Sequence, residues 1–209
     1  MSTFAASLFA ALSQPLLALD RQQAFRICGR AWGIWAIWWL AMAFLSKRTK
    51  RRESPLQRIE HVIPAALAFL FVFDNRFRFA ALAREIFPPL PGLLLLAVIV
   101  TIAGLLFAVW ARLTLGSNWS GTVTIKADHQ LIRRGPYRFI RHPIYTGMLA
   151  ALLATVVAQG LLAGAVGFAF LLIALYRKAL REESFLAQEF GEGFAEHRRH
   201  TGMFLPRFS

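Results

Sequence analysis

The chain has 209 residues, 57% of them hydrophobic, with nineteen Phe and six Trp and a mean hydropathy of +0.50. That apolar share excludes an ordinary soluble domain. The formal charge of +13 invites a nucleic-acid reading, but the Lys and Arg residues stand beside apolar runs, as juxtamembrane anchors do. Cys28 is the only cysteine, which excludes an intrachain disulfide and a cluster of thiolate metal ligands.

From the N-terminus, residues 1–22 read as an interfacial segment. The start lacks the basic residues of a cleavable signal, and Pro15 interrupts the apolar stretch 4–19, which is expected to lie along the membrane, with a sixth crossing as the alternative. Residues 23–111 hold three predicted spans. The first, at about 25–45, carries Trp32, Trp35, Trp38 and Trp39; the second, at about 59–73, is short; the third, at about 90–113, opens on Pro88, Pro89 and Pro91. Residues 112–209 contain a polar connector, two short spans at about 143–158 and 161–176 joined by Gln159-Gly160, and a polar tail. The fold class is therefore all-α, an integral membrane protein of about five spans ending in a short hairpin. No strand pattern is evident, and no glycine-rich nucleotide loop follows one.

Six Lys or Arg residues fall in each of the loops 46–58 and 112–141 and in the tail from 177 onward. Only Arg21, Arg26, Arg30, Arg76, Arg78 and Arg84 fall on the other side. Basic residues concentrate in cytoplasmic loops, so the N-terminus is expected outside and the C-terminus in the cytoplasm. The run 47–52 reads as an anchor to anionic lipid.

Polar variety sufficient for a site exists only in the connector and tail. Gly135-Pro136-Tyr137 predicts a turn, and Arg141-His142-Pro143 a helix start whose free N–H groups suit an anion such as a cofactor carboxylate. The alternative is a plain membrane re-entry with His142 as a cap. Glu182 and Glu183, about 100° apart on a helix, do not suit a paired acid and base. One is expected to bind a ligand and the other to meet a basic neighbour; the alternative is that both pair with Arg177, Lys178 or Arg181. A short helix is expected from Phe194 to His200. His197 and His200 lack a third ligand, so no metal is expected.

The stretch Leu115-Gly116-Ser117-Asn118-Trp119-Ser120, the run from Leu131 to Tyr145, and Glu182-Glu183, Phe190-Gly191 and Thr201-Gly202 through Pro206 together resemble the isoprenylcysteine carboxyl methyltransferase family, and more loosely phospholipid methyltransferases. The resemblance implies an S-adenosyl-L-methionine-dependent membrane enzyme with a cytoplasmic cofactor pocket built from the connector, the last two spans and the C-terminal helices, making 112–209 the methyltransferase core. It implies cofactor contacts from His129, Gln130, Leu131, Ile132, Tyr137, His142, Pro143, Ile144, Tyr145 and Glu182. The family's substrate-holding arginine, four residues before the first glutamate, is here Lys178, with Arg181 nearby; these two are the candidate catalytic residues. The expected substrate is a lipophilic or prenylated carboxylate in the bilayer, which is already ionised at neutral pH and needs no general base. An amine would meet repulsion from the surrounding cations. Lipid N-methylation, or a non-catalytic binding protein of the same fold, is the alternative.

Overall fold

The computed structural model describes residues 19–43, 49–52, 54–116, 124–126 and 131–207. The expected interfacial stretch 4–19 therefore falls outside the described residues except for its last position, as do His129 and Gln130. Helix α1 (Arg21–Ala43) carries most of the tryptophans. It is followed by a short strand β1 (Thr49–Arg52) and by α2 (Pro55–Phe73), which starts on a capping box. There Ser54 Oγ accepts from the Gln57 N–H at 3.3 Å, and the Gln57 side chain accepts from the Ser54 N–H at 3.0 Å. Two 3₁₀ turns, Asn75–Phe77 and Ala80–Ala83, lead to α3 (Pro91–Leu115). After strand β2 (Thr124–Lys126) and the 3₁₀ turn Gly135–Arg138 come α4 (Pro143–Gln159), α5 (Leu162–Phe190) and α6 (Glu192–His200).

The architecture is helical. The expectation of no strand needs one correction: β1 and β2 pair antiparallel in a two-stranded ribbon. Strands of three and four residues are too short to show an alternating pattern in sequence. Residues 49–52, read from sequence as a lipid anchor, thus also use their backbone to clip the two loops together.

Three helices, α2, α3 and α5, are long and apolar enough to cross a membrane; α4 is apolar but has only seventeen residues. At 23 residues α1 has the length, but it carries Arg21, Arg26 and Arg30. The helix that holds the second predicted hairpin span does not stop where the apolar run ends, near Tyr176. Instead α5 runs unbroken for 29 residues, about 43 Å at 1.5 Å per residue, so its last turns project beyond a bilayer core of about 30 Å.

Helices α3 and α4 cross where Gly104 meets Gly147. A Cβ on Gly147 would lie 2.4 Å from the Gly104 carbonyl oxygen, a contact only glycine permits. Hydroxyl groups join the apolar interior: Trp32 Nε1 donates to Thr155 Oγ1 at 3.0 Å, and the Thr101 and Thr155 hydroxyls are 3.3 Å apart. Large apolar side chains such as Ile34, Ile37, Leu40, Leu106 and Trp110 face outward, as they do toward lipid.

The bundle has two distinct ends. At one, Arg112 Nη2 donates to Met42 O at 3.0 Å, beside the starts of α2 and α4 and the projecting end of α5. At the other, Arg21 donates to Glu85 at 2.5 Å and to Phe87 O at 2.7 Å, and Ile86 N donates to Gly160 O at 2.8 Å, covering the α4–α5 turn.

Candidate active site

Three segments converge at the first end. The start of α4 follows the Gly135–Arg138 turn, which buries Pro136 and Tyr137. Pro143 sits in the first turn of α4, where its missing N–H costs nothing. His142 occupies the cap position but makes no side-chain capping bond. Its ring is buried between the two glutamates of α5: Nδ1 is 3.4 Å from Glu182 Oε2, and Nε2 is 3.3 Å from Glu183 Oε1. Two carboxylates about 100° apart on one helix thus hold one imidazole from two sides. The capping role does not describe His142.

The glutamates differ in their other partners. Glu183 is buried and accepts from Arg141 Nε at 2.7 Å, so its basic neighbour is Arg141, outside the trio considered from sequence. Glu182 is more open, 23% exposed, and accepts from the Tyr145 hydroxyl at 2.6 Å. The His142 and Tyr145 rings are parallel within 1°, their centroids 5.3 Å apart.

The third segment is the tail. Beyond α6, residues 201–204 run beside 139–142: Arg141 N donates to Gly202 O at 2.8 Å, and His142 N to Met203 O at 3.1 Å. This places Phe204 edge-on to His142 and Tyr145, at 6.2 and 6.5 Å. Thr146 Oγ1 donates to Phe204 O at 2.7 Å and fixes that position. Arg141 also donates to Thr201 O, joining α5, the α4 start and the tail through one guanidinium.

Of the expected site residues, Tyr137, His142, Pro143, Ile144 and Tyr145 are buried at the α4 entrance, and Glu182 meets them there. Leu131 and Ile132 are half-buried, with Ile132 packed on the main core. The Lys178 ammonium lies 5.6 Å from the centre of the Tyr145 ring. Arg181 is drawn the other way, to the Glu60 carboxylate and the Gln57 carbonyl of α2, and Arg177 reaches the same Glu60 at 3.0 Å. Arg141, Glu183 and Phe204 are the additions that structure makes to the set. Arg141 and Glu183 stood inside recognisable motifs, but nothing local signals that they pair across 42 residues.

The electrostatics follow from this packing. Burial would lower the His142 pKa, but the hydrogen bonds its ring donates to Glu182 and Glu183, with their charges, outweigh it and raise it above 6.5. The Tyr137 phenol is pushed well above 10, first by burial and then by the Glu182 charge. His197, on α6, is lowered to about 4 by burial and by Arg133 and Arg141. It stays neutral at pH 7, while His200 is exposed and paired with Glu196 at 2.7 Å. Among the described residues, no three His, Cys, Asp or Glu groups gather as metal ligands.

The model of the isoprenylcysteine carboxyl methyltransferase family matches residues 95–188, which span α3, the connector, α4 and α5 through both glutamates. That matched stretch is a little under half of the chain. Probable protein-S-isoprenylcysteine O-methyltransferases of Oryza sativa, indica and japonica, are 29% identical over 169 residues, covering 78% of this chain and 86% of theirs. A cobalt-zinc-cadmium resistance protein of Cupriavidus metallidurans is 34% identical over 98 residues, 46% of this chain and 45% of that one. The solved structure of a eukaryotic intramembrane Ras methyltransferase of the same family aligns with a TM-score of 0.48 and 23% identity, over 77% of this chain and 56% of that one. The chain thus spans little more than half of that solved chain. The family match and the three long apolar helices support an integral, multi-pass membrane protein.

Proposed function

We propose that the protein is an S-adenosyl-L-methionine-dependent methyltransferase that methylates the carboxylate of a lipophilic or prenylated substrate at the cytoplasmic face of a membrane it crosses five times. The observation that carries this reading is the meeting of Glu182 with His142 and Tyr145 at the mouth of α4. When bound, the cofactor supplies an electrophilic methyl group on a positively charged sulfur.

The residues present fit such a group. The Glu182 carboxylate is the more open of the pair and suits amino and hydroxyl donors, while the flat faces of His142, Tyr145 and Phe204 suit a ring. Leu131, Ile132, Tyr137, Pro143 and Ile144, buried or half-buried on the connector side, would supply apolar contacts, while His129 and Gln130 lie outside the described residues. Lys178, facing Tyr145, is the cation expected to hold the substrate carboxylate. Arg181 and Arg177 are engaged by Glu60, which leaves Arg181 the lesser candidate. Lysine gives a point charge without a bidentate fork, so positioning by the lipid part of the substrate matters more.

Calorimetry with S-adenosylhomocysteine on detergent-purified protein tests the cofactor site. Binding is expected for the parent and its loss for Glu182→Ala; no binding by the parent sinks the enzyme reading. A methyl-transfer screen comparing a prenylated cysteine with aminolipids then tests the substrate, with label expected on the carboxylate.

A further inference from the structure

The end of the bundle opposite the glutamates carries cations that the proposed reaction does not use. Arg78, in the loop after α2, places its guanidinium 5.1 Å from the centre of the Phe25 ring on α1. Its Nε and Nη2 are buried and make no hydrogen bond with a described residue. Phe25 stacks on Phe73, the last residue of α2, at 5.6 Å. Arg26 is therefore level with the end of α2, where the bilayer interface falls, and Arg30 is one turn deeper. Both are exposed, and neither has an ion pair among the described residues. An exposed arginine one turn inside a span must reach outward for an anion.

Directly below these charges lies an apolar groove. Gly29, Trp32, Gly33, Trp35, Phe69 and Phe73 line it, enclosing about 280 Å³ with almost no polar wall. At about 100° per residue, Arg26, Gly29, Arg30 and Gly33 fall within about 100° of arc on α1, so the floor of the groove and the two arginines share one face. A Cβ on Gly33 would meet nothing within 4 Å, which marks open space.

Cations without acid partners above a membrane-depth apolar groove match one molecule: a lipid with an anionic phosphate headgroup and an acyl chain. We infer that the α1–α2 face binds an anionic phospholipid, with its phosphate on Arg26, Arg30 and Arg78 and one chain along Gly29 and Gly33. The site lies in the leaflet away from the glutamates and stands independently of the methyl-transfer reading.

The test is native mass spectrometry of the full chain released from nanodiscs of equal phosphatidylglycerol and phosphatidylcholine, with circular dichroism as the folding control. The parent is expected to retain phosphatidylglycerol at least fivefold over phosphatidylcholine. Arg26→Gln/Arg30→Gln/Arg78→Gln should abolish that preference, Arg78→Lys should keep it in part, and Gly33→Leu should lower retention of both lipids. Equal retention by the parent, or an unchanged preference in the triple variant, overturns the proposal. So does a dimer in the parent that Gly33→Leu dissolves, because a second copy would then occupy the groove. A triple variant that has lost helical signal moves the decision to Arg78→Lys and Gly33→Leu, where parent-like retention in both overturns the proposal.

Discussion

His142 faces a carboxylate from each ring nitrogen, and that arrangement fixes how the site responds to pH. Because its folded pKa is raised above 6.5, the stability it contributes is fully present below pH 6.5 and is lost as pH rises through the folded value. His197 acts in the opposite sense. Its folded pKa of about 4 means that its contribution is present above pH 6.5 and is lost as pH falls toward 4. Thermal melts in detergent from pH 4 to 9 should therefore fall on both sides of neutrality. His142→Gln should flatten the alkaline limb and His197→Gln the acid limb; no change in either limb removes this account. The glutamates should separate as well. Glu183→Gln leaves the largely covered Arg141 without its carboxylate and is expected to cost about 3 kcal/mol of stability. Glu182→Gln, at the more open position, should chiefly weaken cofactor binding. For the cations, Lys178→Ala should raise the substrate KM about tenfold or more with S-adenosylhomocysteine affinity unchanged. Arg181→Ala should instead loosen α5 from α2 and lower the melting temperature. The reverse pattern would make Arg181 the substrate-holding group.

Among the helices, the α3–α4 crossing depends on close backbone approach. In Gly147→Val the added Cβ would press on the Gly104 carbonyl at 2.4 Å and on backbone and Cβ atoms of Ala108, none of which can rotate away. Because α4 begins at His142, separating these helices should displace the cofactor site as well as lower stability. Gly33→Ala, in open space, should melt within a degree or two of the parent. A Gly147→Val protein that melts and binds S-adenosylhomocysteine like the parent would show that the crossing is not needed. This crossing also marks what sequence could and could not reveal. The helices were legible because apolar runs of twenty residues have few alternative explanations, and the α4 entrance was legible because proline constrains backbone locally. Helical spacing up to Phe190 was legible too, but that it forms one unbroken helix with the preceding span was not, since polarity changes after Tyr176 while helical propensity does not. The return of residues 201–204 beside 139–142, the Arg141–Glu183 pair and the β1–β2 ribbon join segments 42 or more residues apart. A single sequence carries no trace of such pairings beyond the motifs that flank them.

For the molecule as a whole, the decisive question is which side of the membrane receives the glutamates. The structure separates the basic residues by end: Arg112, Arg141, Arg177, Lys178 and Arg181 gather with the glutamates, while Arg21, Arg76, Arg78 and Arg84 lie around the α4–α5 turn. Basic excess marks the cytoplasmic side, so the site end is expected there. At seventeen residues, about 26 Å, α4 is short for a bilayer core of about 30 Å. It can still complete a crossing because its turn is covered rather than left to lipid: Gly160 O accepts from Ile86 N, and Gln159 Nε2 donates to Val72 O at 2.6 Å. Cys28 is buried and is the only native thiol, so a Cys28→Ala background allows single cysteines to report sidedness. In that background Glu189→Cys should react with a membrane-impermeant maleimide only in inverted vesicles, and Ala81→Cys only in intact cells. The opposite pattern would invert the protein in the membrane and leave the bundle intact. Labelling of both positions from one side would mean that α4, the shortest of the three helices between them, does not cross, and the fivefold passage would have to be abandoned.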